Sequence, residues 1–130
     1  MSKWEDHDLT NQVVDVLGNV GKGALDHHFG RPYMTAYQLA LELQLRHPET
    51  VEALDKPIGG AGVGQETSLA QYLANELSKL TKSKGSNCPV EGAFLDLGHV
   101  KAMTFAGPDK TEITSSLTGT GYPLSLYRLR

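Results

Sequence analysis

The sequence is short of cysteine, of long apolar runs and of positive charge, and each shortage removes a class of function. Cys88 alone cannot close an internal disulfide and, without a second thiol, cannot found a cysteine-based zinc site. The flanking residues SKGSN and Pro89 contain no histidine to activate it, so it reads as an inert, buried thiol. No apolar stretch approaches the roughly 20 residues that cross a bilayer. The start MSKWEDHD also lacks the apolar core of a secretory signal, so a cytoplasmic protein with no membrane partner is expected. The net charge of −3 runs against the usual electrostatic footprint of a nucleic-acid binder.

Catalytic frames are missing as well. His7, His27, His28, His47 and His99 are tied to no nucleophile, and the acidic residues are scattered, so no enzyme is expected. His27 and His28 follow Asp26, but adjacent residues on a helix point about 100° apart and do not jointly cup one ion, so no metal is expected. The glycine run Gly59–Gly64 has the spacing of a phosphate-binding loop. Gln65 and Glu66 stand where that loop needs lysine and then serine or threonine, and no strand precedes it. Neither nucleotide chemistry nor any cofactor is expected.

What remains fits one domain over residues 1–130, with 39% hydrophobic and 21% charged residues to divide between core and surface. Charge is uneven along it. Up to Gln65 there are five Lys and Arg against nine Asp and Glu, and after it seven against six. Basic residues gather at Lys79, Lys82 and Lys84 and again at Arg128 and Arg130, so a basic face on an acidic body is expected.

The stretch Gly59–Lys82, GGAGVGQETSLAQYLANELSKLTK, organises the rest. Ser68 and Gln71 have capping-box spacing, so a helix should begin at Ser68. Leu69, Leu73, Leu77 and Leu80 then form a core-facing stripe, leaving Gln71, Asn75, Ser78, Lys79 and Lys82 on the other side. Before it, residues 1–8 read as flexible with Trp4 as their one anchor. Leu9, Val13, Val16, Leu17 and Val20 predict a helix behind Asp8 as N-cap, ended by Gly18 and Gly21. Thr35 and Gln38 predict a second capped helix that stops near His47, because Pro48 disfavours helical geometry in the residue before it. PETVEAL then makes a short helix broken by Asp55, Lys56 and Pro57. AYQLALEL at 36–43 and AQYLANEL at 70–77 are alike, yet eight residues are too few for a repeat.

Beyond the linker KSKGSNCP the pattern turns to strands, at Val90–Leu95, His99–Phe105, Thr111–Leu117 and Leu124–Leu129, with AGPDK as a turn. The expected class is α+β. Three to four N-terminal helices occupy 9–82, and a small antiparallel sheet or wing occupies 90–130.

T35-A-Y-Q-L-A40, S68-L-A-Q-Y-L-A74 and VKAMTFAGPDKTEITSSL together resemble the layout of a winged helix-turn-helix domain over Thr35–Leu117. In that family a first helix packs across a recognition helix, and a hairpin wing touches the neighbouring backbone or minor groove. The resemblance implies a transcriptional regulator binding double-stranded DNA, with Gln71, Asn75, Ser78 and Lys79 on the recognition face. Ser68 would offer backbone N–H groups to a phosphate, with Lys82 and Lys84 on the DNA backbone and Lys110 at the wing tip. It also implies a homodimer, since one such helix buries too little for strong specificity. The connection of some twenty residues from His47 to Thr67 is longer than the family's few. A second expectation is a protein-binding module whose acidic segment Glu5–Asp15 meets a basic partner, with a free strand edge near 124–130.

Overall fold

Two hydroxyl residues start the two long helices of this chain, and the computed structural model, which describes residues 2–20, 27–60, 68–117, 120 and 123–130, shows how each does so. Helices α1 (Lys3–Asp6) and α2 (Leu9–Gly18) are followed by strand β1 (Met34–Thr35), then α3 (Ala36–Arg46), α4 (Pro48–Leu54) and α5 (Leu69–Lys84). Strands β2 (Val90–Leu95), β3 (Thr104–Ala106), β4 (Glu112–Thr114) and β5 (Leu124–Leu129) complete the order. The class is α+β.

Thr35 Oγ1 accepts from the Gln38 N–H at 3.1 Å while Gln38 Oε1 accepts from the Thr35 N–H at 2.8 Å, so α3 begins with a complete capping box. At α5 only half of the box forms. Ser68 Oγ accepts from the Gln71 N–H at 3.1 Å, but the Gln71 side chain turns away and donates to Asn75 Oδ1 at 2.9 Å. Asp8 stands at the N-cap of α2 as expected, yet in left-handed backbone, and its carboxylate takes the Asn11 amide instead of a helix N–H. Within the segment expected to be flexible, Trp4 is the anchor that the sequence suggests. Residues 3–6 form a helical turn that buries Trp4, whose Nε1 donates to Thr10 Oγ1 at 2.8 Å.

The leucine stripes of α3 and α5 face each other in the core. Leu39, Leu43, Leu69, Leu73 and Leu77 are fully buried, together with Leu9, Val13 and Val16 of α2. Each such side chain contributes about 1.5–3 kcal/mol by leaving water. Val90, Leu124 and Tyr127 close the core from the sheet, and Cys88 is buried and unpaired, as the sequence implies.

The main sheet has three antiparallel strands in the order β1-β5-β2. β5 pairs with β2 over six residues, from Val90 opposite Leu129 to Leu95 opposite Leu124, and with β1 through Met34 and Thr35. The last strand is therefore central, and the free edge expected at 124–130 is closed at Leu126 and Tyr127 by β1. The open edges of this sheet are β1 and β2. Strands β3 and β4 form a separate two-stranded hairpin, three residues each where longer runs were expected, and past it the Ser115 N–H still donates to the Met103 carbonyl at 2.8 Å before the Ser116 N–H turns to the Tyr37 hydroxyl.

This hairpin leans on α3, with Phe105 stacked on Tyr37 at 5.3 Å between ring centroids. Gly60, at φ +106, lies so close to β4 that an added Cβ would sit 2.9 Å from the Thr114 carbonyl oxygen, which explains one glycine of the run. The rest of the run, residues 61–67, lies outside the described residues, as do Gly21, Asp26 and the TGTG glycines at 119 and 121. No described helix is long and apolar enough to cross a membrane.

Candidate nucleic-acid interface

Sixteen residues of α5 present three faces, and their burial separates core from surface. Leu69, Ala70, Leu73 and Leu77 are buried, whereas Asn75, Ser78, Lys79, Lys82 and Lys84 are exposed and Gln71 is half-buried. Gln71, Asn75, Ser78 and Lys82 follow one another at steps of four, three and four, which aligns them in a single stripe along the helix. The structure thus gathers six of the eight predicted contact residues on one element.

Ser68 and Lys110 stand apart. Ser68 is buried, and the N–H groups expected to face a phosphate at the start of α5 have partners within the chain, Leu69 donating to the Pro57 carbonyl at 2.6 Å, Ala70 to the Ile58 carbonyl at 2.9 Å and Gln71 to the Ser68 hydroxyl at 3.1 Å. Lys110 is exposed, in left-handed backbone at φ 64, at the turn of the β3–β4 hairpin. That hairpin packs on α3, and among the described residues nothing brings Lys110 to α5.

Electrostatics sharpens the division. On α5 three lysines stand against one carboxylate, Glu76, which pairs with Lys79 at 3.7 Å. That contact is solvated and leaves the Lys79 side chain 74% exposed, so it subtracts little charge from the stripe. Lys82 and Lys84 have no ion-pair partner among the described residues. Seven exposed carboxylates, Glu5, Asp6, Asp8, Asp15, Glu49, Glu52 and Asp55, lie on α1, α2 and α4 or their caps, and two more, Asp96 just after β2 and Glu112 on β4, are exposed on the β part of the chain.

The two C-terminal arginines do not extend the basic surface, contrary to the grouping suggested by sequence. Arg128 bonds Glu91, donates to the Phe29 and Arg31 carbonyls at 2.7 and 3.0 Å and lies over the Tyr33 ring. Arg130 pairs with Glu91 at 3.6 Å and donates to the Cys88 and Gly85 carbonyls, which ties the end of β5 to the C-terminus of α5. Both guanidinium groups join segments of the fold.

Between α5 and the β2–β5 ribbon runs an open cleft of about 500 Å³, bordered by Ser78, Thr81, Phe94, Ser125, Tyr127 and Arg130. Tyr127 crosses over Gly92 to donate to the Ala74 carbonyl at 3.3 Å and so fixes the ribbon to the helix. Burial raises the Tyr127 pKa, and a hydrogen bond with the Ser125 side chain works in the opposite direction. Phe94 is 72% exposed at this cleft. The sequence reading missed Phe94; the signal lay in the alternation of VEGAFL, which puts Gly92 and Phe94 on the α5 side of β2.

A second cleft, about 370 Å³, lies where the first turns of α3 and α5 approach Ser116, Leu117 and Pro123–Ser125, with Gln71 and Tyr37 on its wall. Ser116 donates its N–H to the Tyr37 hydroxyl at 3.2 Å, so this hydroxyl pair braces the hairpin against α3. His27 and His28 stack at 4.5 Å, and among the described residues no group of three or more metal-binding side chains forms.

No protein-family model, curated protein or solved structure matches the chain.

Proposed function

We propose that this protein binds double-stranded DNA as a cytoplasmic transcriptional regulator of winged-helix type, using α5 for groove contacts. The observation that carries the reading is the exposed stripe of amides, hydroxyls and lysines on α5, a helix whose three lysines face a single carboxylate of its own while seven exposed carboxylates lie on α1, α2 and α4 or their caps. Part of the layout supports it, since α3 packs against α5 and β2 follows α5, whereas the β3–β4 hairpin expected as the wing lies against α3. The insertion of α4 between α3 and α5 departs from the family's short connection without covering the stripe.

Gln71 and Asn75 supply hydrogen-bonding groups for base edges, and Lys79, Lys82 and Lys84 supply charge for phosphates. Three neutralised phosphates per protomer give a log–log salt slope of about −2.7, or an affinity loss of about fortyfold between 50 and 200 mM salt. Two protomers acting together on a two-fold site steepen that slope.

Titration of a random duplex with the whole protein at rising salt tests the reading. The expected result is binding at low salt that falls with this slope and is lost in the double variant Lys79→Glu, Lys82→Glu, whose exposed sites leave folding intact. Absence of binding at low salt overturns it. It would move the weight to a second reading, a protein-binding module, which is favoured by the exposed carboxylates Glu5, Asp6, Asp8 and Asp15 on α1 and α2.

A further inference from the structure

Strand β2 is an open edge of the main sheet among the described residues, six residues long and in unbroken register with β5. Beside it the Arg130 N–H donates to the Pro89 carbonyl at 2.9 Å, which makes that pair a bonded one. By the alternation of an antiparallel ladder, Glu91, Ala93 and Leu95 then turn their N–H and C=O groups toward β5, while Val90, Gly92 and Phe94 turn theirs outward. Among the described residues nothing bonds the outward groups of Gly92 and Phe94.

Soluble proteins ordinarily blunt such an edge with lysine, proline, a bulge, a short strand or a covering segment. β2 contains no lysine, proline or bulge, and its single charge, Glu91, is paired with Arg128 and Arg130 of its own chain. Phe94 and Leu95 are exposed on it, Phe94 at 72%. The other edge, β1, is guarded by its length of two residues.

The shape of this edge fits a second copy of itself. Gly92 and Phe94 are both exposed and lie two residues apart on one face of the strand. The three nearest neighbours of a Cβ built on Gly92 all belong to β5, two of them carbons of the Tyr127 ring at 3.6 and 3.7 Å. Antiparallel pairing of two copies about a two-fold axis at Ala93 sets Phe94 of each opposite Gly92 of the other, and the outward N–H and C=O groups of these residues then bond each other. Each exposed ring covers a bare glycine across the new strand pair. Glu91 falls opposite Leu95, so like charges do not meet on the axis.

We propose that the protein forms a homodimer by joining the β2 edges of two copies into one continuous antiparallel sheet. Rotation about an axis perpendicular to that sheet keeps both α5 helices on the same face of it. This supplies an interface for the two protomers invoked above, yet it does not rest on duplex binding, and its test contains no DNA.

Sedimentation of the full-length protein across a range of concentration tests it. The wild type should pass from monomer to dimer, and Phe94→Lys, a change at an exposed site, should stay monomeric where wild type is mostly paired, with an unchanged circular dichroism spectrum. Phe29→Lys alters a ring that is 75% exposed away from β2 and should dimerise as wild type does. Amide hydrogen exchange at Gly92 should slow about tenfold in wild type once most of the protein is dimeric, whereas the Ala93 N–H, held by β5, is protected at every concentration. A wild type that stays monomeric up to about 1 mM, a dimer that survives Phe94→Lys, or one lost equally in Phe29→Lys overturns the proposal. So does a Gly92 amide that exchanges at one rate at all concentrations, a result that needs no variant.

Discussion

Helices α3 and α5 begin with nearly the same eight residues and end in opposite roles. Offset by 34 positions, Leu39 and Leu43 correspond to Leu73 and Leu77, and all four are fully buried. The difference lies one face away, where α3 carries Tyr37, Leu41 and Leu45 and α5 carries Gln71, Asn75 and Lys79 at the same i, i+4, i+8 spacing. The first part of the α3 stripe lies against the β3–β4 hairpin, where Tyr37 is buried and stacked by Phe105 and Leu41 is half-buried, whereas Leu45, which borders a cleft with Leu41, Ala106 and Pro108, is 74% exposed. Nothing among the described residues covers Asn75 or Lys79. A shared core pattern therefore holds both helices in place, and the substituted positions make the outer face of α3 apolar and partly covered and that of α5 polar and open.

Removing the shared pattern should hurt both helices alike. Leu39→Ala and Leu73→Ala each leave a cavity in a closed core and should each cost about 2–5 kcal/mol in denaturant unfolding. A large effect in one helix and a negligible one in the other would break the equivalence of the two stripes. Exchanging the differing position should separate the helices. Leu41→Asn, which places an amide beside the hairpin, should cost about 1 kcal/mol or more. Asn75→Leu, on an exposed helix surface, should stay within about 0.5 kcal/mol of wild type while weakening duplex binding.

The caps give a finer contrast. Gln38→Ala removes the returning half of a complete box and should destabilise by about 0.5–1.5 kcal/mol. Gln71→Ala removes no cap bond made by its side chain and should leave stability nearly unchanged. Equal losses would mean that the Gln71 side chain does serve the cap. The smallest effect concerns Tyr127. Its pKa is raised in the fold, so below the ordinary tyrosine value of about 10 the hydroxyl is protonated in both states and its contribution is intact. As pH rises past that value the unfolded chain ionises first, and stability falls until the folded pKa is passed. Unfolding free energy measured from pH 9 to 11 should decline more steeply in wild type than in Tyr127→Phe.

Much of this arrangement is legible in the sequence because it depends on local rules. Thr35 and Ser68 mark helix starts through hydroxyl geometry, Pro48 divides α3 from α4, and the leucine spacing gives the buried face of each helix. What escaped depends on distant pairing. Nothing local in LSLYRL distinguishes a central strand from an edge, and it becomes central only because Met34 and Thr35, some ninety residues earlier, pair on its other side. The fate of Arg128 and Arg130 is equally non-local, since Glu91 and the carbonyls that engage them come from other segments. Of the candidate site, the exposed side of α5 follows from periodicity, whereas Phe94 joins it only through the register of β2 on β5.

The central claim is that the polar, uncovered stripe of α5 is the working surface and the apolar, partly covered stripe of α3 is not. Backbone amide NMR shifts recorded as a random duplex is added at low salt test it residue by residue. The account predicts changes that concentrate at Asn75, Ser78, Lys79, Lys82 and Phe94 and leave Leu41, Leu45 and the carboxylate-bearing helices α1 and α2 still. Changes confined to α1, α2 or the β3–β4 hairpin, or no change anywhere, would contradict it.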